Sequence, residues 1–365
     1  MHESQNTINI LINSLGGGGT ERVCIRLANE FILKGYGVNI FVYNYSSESY
    51  LQELHREVNV RYLGVKSLKR NFIRLLKIKK HIQGNKLLVF NPQAAIAIEL
   101  FKLIRIWDIE IVLRVNNTLS VAAGMKGKFH KYIVEIFMKI FFRRIKKIIC
   151  QSSGMYRDLK DNYLVKDNNL VVIGNPISRH TAPNDQFIEA RRNEKYILYV
   201  GRLVPQKSIH YSIKSFAMIN EKFPGLKFLI IGEGECKNSL IKLAQELGLE
   251  EKVEFLGHQV DTLNYYINAE LTILSSLYEG FPNVLLESIA CGTPVVTFNC
   301  PSGPEDIVID GINGYLANYL DELDLSKNIE LALLRKWDHR EIKDTIANYS
   351  SDQIANQYLH TLDSV

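Results

Sequence analysis

Two carboxylates and two cations stand where they could do chemistry. Glu279 and Glu287 have seven residues between them in Ser275-Ser276-Leu277-Tyr278-Glu279-Gly280-Phe281-Pro282-Asn283-Val284-Leu285-Leu286-Glu287, directly after the apolar run Leu271–Leu274. The residue types predict a helix beginning at Asn283, with Pro282 compatible with its opening. Glu279 then lies in the loop and Glu287 about one turn into the helix, both able to point toward the same end of a sheet. Carboxylates so placed can accept hydrogen bonds from several sugar hydroxyls at once. Gly280 allows bare amides to face a ligand, and the helix N-terminus suits a phosphate. The plainer alternative is a helix-terminal charge beside an unrelated loop acid.

The cations lie in Tyr199-Val200-Gly201-Arg202-Leu203-Val204-Pro205-Gln206-Lys207. Gly201 permits a tight exit from the apolar run before it. Arg202 and Lys207, five positions apart, can clamp a diphosphate from two directions; two solvated surface cations are the alternative. A third loop, Gly16-Gly17-Gly18-Gly19 before Thr20-Glu21-Arg22, offers close backbone approach and a helix N-terminus to an anion, or is simply a flexible turn. It matches neither the dinucleotide fingerprint nor the P-loop. A fourth runs Asn299–Ile307, and Asp310–Tyr315 behind it reads as a turn into a further strand.

These loops need a scaffold, and the chain supplies alternating elements. Strand-like runs fall at Ile8–Ile12, Val38–Tyr43, Leu87–Phe90, Ile109–Arg114 and Ile148–Ser152, with helical patterns at Thr20–Lys34 and Lys126–Lys147. The second half continues with strands at Tyr196–Val200, Lys227–Ile231, Val253–Leu256, Leu271–Leu274 and Pro294–Thr297, and helices at Lys207–Glu221, Glu235–Leu247 and Asn283–Cys291. Buried strands alternating with helices predict an α/β protein of two doubly wound parallel-sheet domains. Ligands of such sheets sit at the carboxyl ends of the strands. The expected division is 1–174, 175–345 and a C-terminal helix within 346–365 that could return to the first domain. Gly174-Asn175-Pro176 and the polar Ser178–Glu194 read as the linker.

At 365 residues, 46% hydrophobic and 23% charged, this is an ordered globular chain too long for one core. Its five scattered cysteines, never spaced Cys-x-x-Cys, speak against a disulfide framework and a cysteine-rich zinc site. No secretory leader is visible, and charges interrupt every apolar run before the roughly 18 residues that could span a bilayer. A cytoplasmic protein, at most peripheral on a membrane, is expected. The net charge of +5 conceals a split: residues 1–174 hold 27 Lys+Arg against 13 Asp+Glu, and 175–365 hold 17 against 26. The basic half could face nucleic acid, a membrane or a phosphorylated ligand, or could merely keep the chain soluble.

The Gly16–Gly19 loop, GRLVPQKS at 201–208, IIGEGE at 230–235, the Glu279/Glu287 pair and GTPVV at 292–296 together resemble the retaining glycosyltransferases of the GT-B fold, within them family 4 (group 1). That fold has two facing Rossmann-like domains with a cleft between them. CPSGPEDIVIDGINGYL at 300–316 also looks like a branch building bacterial surface polysaccharides, of the O-antigen and capsule type, and lipid-linked oligosaccharides; many members use UDP-hexoses or UDP-N-acetylhexosamines. The resemblance implies that Arg202 and Lys207 neutralise the donor diphosphate and that Glu279 contacts the transferred sugar. Glu287 would hold the ribose, with Gly201, Gly280, Phe281, Pro282, Asn283 and Val284 lining the donor site. Gly17 and Gly18 would approach the diphosphate from the other domain. No metal or other cofactor is implied, and the sequence has no Asp-x-Asp.

One departure concerns the first domain, where many members carry a His near the sugar. Here the stretch reads Leu113-Arg114-Val115-Asn116-Asn117-Thr118, so Asn116 or Asn117 could hydrogen-bond the sugar or acceptor but not exchange a proton near neutral pH. His130 lies in a basic helix and reads as a surface residue. No side-chain general base is assigned. Lys126–Lys147 carries eight Lys/Arg among large apolar residues, and Lys66–Lys80 has a similar mixture. Such a helix can lie in an anionic membrane interface, where the acceptor would be a glycan on polyprenyl diphosphate, or can pack on the core with a solvated basic face. A sugar-nucleotide epimerase on the same plan, a glycan phosphorylase and a nucleic-acid-binding module are the rival readings. The phosphorylase lacks a lysine in a pyridoxal-phosphate context, and the nucleic-acid module lacks an RNA-binding motif and leaves the acidic-half loops unexplained; no nucleic-acid partner is expected.

Overall fold

The computed structural model describes residues 7–16, 18–44, 51–64, 72–124, 128–177 and 194–365, with 122–124 and 128–134 as backbone only. Gly17, Lys126, most of the expected linker and the first part of Lys66–Lys80 therefore lie outside the described residues, as does the His130 side chain. Contact within the chain divides it into two compact units, Met1–Pro176 with Tyr349–Val365, and Ile177–Asn348. The expected divisions, after 174 and after 345, lie a few residues earlier.

The first unit is built on seven strands: β1 Thr7–Ile12, β2 Gly37–Val42, β3 Asn59–Tyr62, β4 Lys86–Val89, β5 Glu110–Arg114, β6 Lys147–Cys150 and β7 Leu170–Val172. All pair in parallel, in the order β3-β2-β1-β4-β5-β6-β7. Successive side chains alternate between two cores, as strand geometry requires. Leu11, Phe41, Leu87, Val89, Ile111 and Leu113 face a layer containing Leu75, Ile78, Phe101, Met138 and Phe142. Ile10, Ile12, Ile40, Val42, Leu88 and Val112 face the helices Gly19–Leu33 and Ser351–Asp363. Burial on both faces explains why these strands read as continuous apolar runs.

The C-terminal helix Ser351–Asp363 completes this unit. It buries Ile354, Ala355, Tyr358 and Leu362, and Lys34 pairs with Asp352 at 2.5 Å. The Lys86 ammonium donates to the Leu362 carbonyl at 2.8 Å.

The second unit holds β8 Lys195–Val200, β9 Leu226–Ile231, β10 Val253–Gly257, β11 Leu271–Leu274, β12 Val295–Phe298 and β13 Gly314–Ala317. They too are all parallel, in the order β10-β9-β8-β11-β12-β13. Each sheet thus runs outward from its first strand in both directions, the Rossmann order 3-2-1-4-5-6 repeated.

Three expectations need correction. β3 and β7 were not anticipated: β3 is a largely exposed edge strand, and β7 is only three residues long. The expected helix Lys126–Lys147 ends at Phe142, and Lys147 opens β6; basic residues continue across the intervening turn and hide the boundary. The expected helix from Lys207 begins at Ile209, because Ser208 adopts a left-handed conformation (φ 44°, ψ 42°) that ends the short 3-10 turn Pro205–Lys207.

Candidate active site

The order of the second sheet reverses between β8 and β11, the place where doubly wound sheets open a crevice for ligands. β8 leads into Gly201–Ser208 and β11 into Ser275–Pro282, so the cationic and acidic loops leave adjacent parallel strands. Backbone and side chains stitch them together. The Leu277 amide donates to the Gln206 carbonyl at 2.8 Å, Gln206 Nε2 donates to the Tyr278 carbonyl at 3.0 Å, and Ser275 Oγ donates to the Ser208 carbonyl at 3.0 Å.

Lys207 and Glu279 meet where these two loops adjoin. Lys207 Nζ lies 2.5 Å from Glu279 Oε1, with the side chains 14% and 8% exposed. Ser276 Oγ donates to the same carboxylate oxygen at 2.6 Å, and Pro301 O accepts from the Glu279 amide at 3.2 Å. A largely buried carboxylate is thereby fixed by a cation, a hydroxyl and its own backbone. Arg202 is exposed and has no ion pair or side-chain hydrogen bond among the described residues. Its charge and that of Glu279 act in opposite senses on the Tyr199 and Tyr278 phenols, which burial first pushes up. The second unit thus gathers Arg202, Lys207 and Glu279 in one neighbourhood.

The glycines of IIGEGE have a steric task. A Cβ on Gly232 (φ 142°) would stand 1.8 Å from the Gly201 carbonyl oxygen, and one on Gly234 2.3 Å from that of Leu203. Their absence lets the two strand exits run side by side: Gly201 N donates to Ile231 O, and Leu203 N to Glu233 O, both at 2.9 Å. Gly201 also accommodates the Tyr199 hydroxyl, which would be 2.8 Å from an added Cβ.

Glu287 lies in the helix Asn283–Ala290, whose N-cap is Pro282. Its carboxylate is buried, and the Tyr266 hydroxyl donates to Oε2 at 3.4 Å. The loop of Gly280, Phe281 and Pro282 is braced from the fourth loop: a Cβ on Gly303 (φ 93°) would fall 2.7 Å from Pro282 Cδ and 2.9 Å from Gly280 O. Phe281 is buried and Val284, one position into the helix from Asn283, half-buried.

In the first unit the glycine-rich turn leads from β1 into Gly19–Leu33. Gly18 is its N-cap, and a Cβ there would stand 2.3 Å from Glu21 Oε2. The Ser14 hydroxyl donates to Glu21 Oε1 at 3.0 Å. The helix thus carries a carboxylate of its own beside Gly18. Asn116 is held from within: its amide oxygen accepts from Arg114, and its NH2 donates to the Phe90 carbonyl at 2.7 Å. Asn117 beside it is exposed. Arg114, wholly buried over the Phe90 ring, also donates to Asn175 Oδ1 at 2.7 Å and to the Tyr358 hydroxyl at 2.9 Å.

Sequence reasoning gave no role to Ser276, Gln206, Tyr266 or Gly303. Ser276 stood in the quoted loop, but nothing in its spacing marked it as Glu279's partner. No group of three or more metal-ligating side chains forms among the described residues.

Two parallel sheets with the same strand order, and charged loops at the switch point of the second, define a GT-B glycosyltransferase fold. Family models match along the chain: "Glycosyl transferases group 1" over residues 181–349 and "Glycosyltransferase Family 4" over 17–180. The chain belongs to the group 1, family 4 glycosyltransferases. It is 27% identical, over 97% of its length and 99% of the relative's, to N-acetylgalactosamine-N,N'-diacetylbacillosaminyl-diphospho-undecaprenol 4-alpha-N-acetylgalactosaminyltransferase of Campylobacter jejuni. Over 61% of its length and 66% of the relative's it is 28% identical to the lipopolysaccharide core biosynthesis glycosyltransferase LpsE of Rhizobium meliloti. Among solved structures, HepE of Anabaena in complex with UDP and glucose superposes with a TM-score of 0.79 at 19% identity, covering 99% of this chain and 100% of the other, a likeness of fold.

Proposed function

We propose that this glycosyltransferase moves a hexose or N-acetylhexosamine from a UDP-sugar to a glycan carried on polyprenyl diphosphate, in bacterial surface-polysaccharide assembly of the O-antigen or capsule type. Transfer proceeds with retention at the anomeric carbon and without a resident metal or other cofactor. The Lys207–Glu279 pair at the β8/β11 switch point carries this reading. The undecaprenol-linked substrate in the Campylobacter relative's name supports the acceptor class, and the UDP in the HepE complex supports the nucleotide.

On this reading the exposed Arg202 meets the incoming diphosphate first. Lys207 then divides its three N–H donors between that diphosphate and Glu279. Glu279 accepts hydrogen bonds from hydroxyls of the bound sugar, and Glu287 from the ribose, with the donor loop of Gly201, Gly280, Phe281, Pro282, Asn283 and Val284 around them. As the glycosidic C–O bond lengthens, negative charge gathers on the diphosphate and positive charge on the sugar ring. Arg202 and Lys207 stabilise the first, and removing one such donor costs on the order of a hundredfold in rate. The acceptor oxygen attacks from the face the diphosphate leaves and gives its proton to a phosphate oxygen.

The enzyme works at the inner face of the cytoplasmic membrane. Among the described residues no helix is long and apolar enough to cross a membrane. Ile136, Phe137 and Ile140 are exposed on the helix Lys128–Phe142, and Lys139 and Arg143 nearby are exposed too, which supports peripheral contact with anionic lipid.

The test is calorimetric titration with a panel of nucleotide sugars, followed by transfer to a polyprenyl-diphosphate glycan with NMR assignment of the new anomeric centre. Binding of a UDP-sugar and an unchanged anomeric configuration are expected. Absence of heat across the whole panel would overturn the reading, and isomerisation of the donor without acceptor would replace it with epimerisation.

A further inference from the structure

The backbone of the Glu279 loop is tied down at several points, and one tie comes from far outside the charged loops. Gln206 holds the Leu277 amide and the Tyr278 carbonyl, and Pro301 holds the Glu279 amide. The Leu277 carbonyl accepts from the Tyr319 hydroxyl at 2.9 Å. Tyr319 follows β13, which stands two strands from β11 with β12 between them. Its side chain therefore reaches past the end of β12 to a loop 42 positions earlier in the chain.

The surroundings aim that hydroxyl. The Tyr319 ring meets Phe298, the last residue of β12, edge-on at 6.5 Å, and Phe298 meets Tyr211 edge-on at 5.3 Å. Such T-shaped contacts are the favoured geometry of aromatic pairs. The turn that carries Tyr319 is fixed too. Leu320 adopts a left-handed conformation (φ 62°) uncommon for leucine, and the Asn318 amide donates to Asp324 Oδ2 at 2.7 Å. Burial, then the Cys300 thiol, pushes the phenol above its usual range, so the hydroxyl remains a donor at neutral pH.

Tyr319 is nevertheless 43% exposed. Water competes for an exposed hydroxyl, so this bond adds little to stability. What it sets is direction. A peptide unit is planar, so a held Leu277 carbonyl fixes the plane that joins Leu277 to Tyr278. That plane lies between Ser276, whose hydroxyl donates to Glu279 Oε1, and Glu279 itself.

We infer that Tyr319 is a positioning residue for sugar transfer: through the Leu277 carbonyl it holds Ser276 and Glu279 in the arrangement that meets the hydroxyls of the bound sugar. The inference deepens the proposed reaction and rests on the role given there to Glu279. Tyr319 acts through the loop and not on the donor.

The test sets Tyr319→Phe, which keeps the ring against Phe298 and loses only the hydroxyl, beside the wild type. Four measurements are made: transfer kinetics with the UDP-sugar found by calorimetry, titration with UDP alone, thermal melting, and amide hydrogen exchange of the free protein. The variant's kcat should fall about fivefold or more, the fold-change of one neutral hydrogen bond. The KM for the donor should stay as in wild type, because Arg202, Lys207 and Glu287 still hold the nucleotide. UDP affinity and melting temperature should also be unchanged. The Leu277 and Glu279 amides should exchange about fivefold faster, since an untied loop opens more often. Wild-type kcat in the variant, or unchanged exchange at those two amides, would overturn the inference. So would a melting temperature and UDP affinity that fall together with kcat, which would make Tyr319 a packing residue. Wild-type protein that binds no UDP and transfers no sugar would instead defeat the proposed reaction, and the role in transfer with it; the exchange rates would still decide whether Tyr319 holds the loop.

Discussion

Lys207 and Glu279, 72 positions apart in sequence, share a 2.5 Å hydrogen bond because β8 and β11 are neighbours in the second sheet. The pairing ties two loops of opposite charge before any ligand arrives. It also makes each residue's removal a matter of stability as well as rate.

Glu279→Ala leaves the Lys207 ammonium largely buried without its counter-ion, and Lys207→Ala does the reverse. Each should abolish transfer and also destabilise the second unit by on the order of 3 kcal/mol. The double variant Lys207→Met/Glu279→Leu should melt above either single one. Scanning calorimetry on the three decides it; strictly additive losses would mean that the two groups do not act as a pair.

Ser276→Ala removes one hydroxyl from the carboxylate while leaving Lys207 in place. The expected result is a fall in kcat/KM of roughly tenfold, the scale of one hydrogen bond to a charged group. Ser276→Thr, which keeps the hydroxyl, should restore part of it. Equal rates for the Ala variant and wild type would remove Ser276 from the positioning of Glu279.

Gly232→Ala drives a methyl group into the Gly201 carbonyl, whereas Gly225 has open space around its Cα. The first substitution should displace the Arg202 loop and weaken nucleotide-sugar binding by at least about tenfold, at the stability cost of a strained backbone, about 1–3 kcal/mol. Gly225→Ala should bind as wild type. Calorimetry on the pair separates a loop effect from a general loss of glycine.

Thiol chemistry offers a check on packing. Burial pushes the Cys24, Cys150 and Cys291 thiols up to about 12, and Cys300 is raised further by burial and by Glu279. Thiolate is therefore scarce at those four sites at neutral pH. Cys236, partly exposed, should react first with a disulfide reagent in the native protein, and all five only after unfolding. Raising the pH from 7 to 9 should accelerate Cys236 and leave Cys24 silent; rapid native labelling of Cys24 would contradict its complete burial.

Much of the scaffold was legible because parallel strands buried on both faces advertise themselves as apolar runs. Leu271–Leu274 was read to the residue. What escaped had no such mark: β3 is an exposed edge, and Ser208's left-handed turn depends on its hydroxyl bonding Pro205 O and on its carbonyl meeting Ser275. At the site, residue type and position after a strand singled out Lys207 and Glu279, but not their contact, which strand order alone creates. IIGEGE was visible as a motif, while the reason for its glycines is a steric fact about Gly201 and Leu203. Asn116 was visible as a polar residue after a strand, but not its bracing by Arg114 and Phe90, which the fold alone brings to it.

The helix Ser351–Asp363 belongs to the unit whose sheet begins at Thr7, so a ribosome delivers the last piece of that unit only after making the whole of the other. Until then the buried face of Gly19–Leu33 and the Arg114 guanidinium await Tyr358 and its neighbours. The second unit, residues 177–348, is a continuous stretch of chain and has no such wait. Order of synthesis and order of completion are therefore inverted: the half begun first is finished last, and a chain halted at residue 348 would present an unfinished N-terminal unit to chaperones and proteases beside an intact C-terminal one.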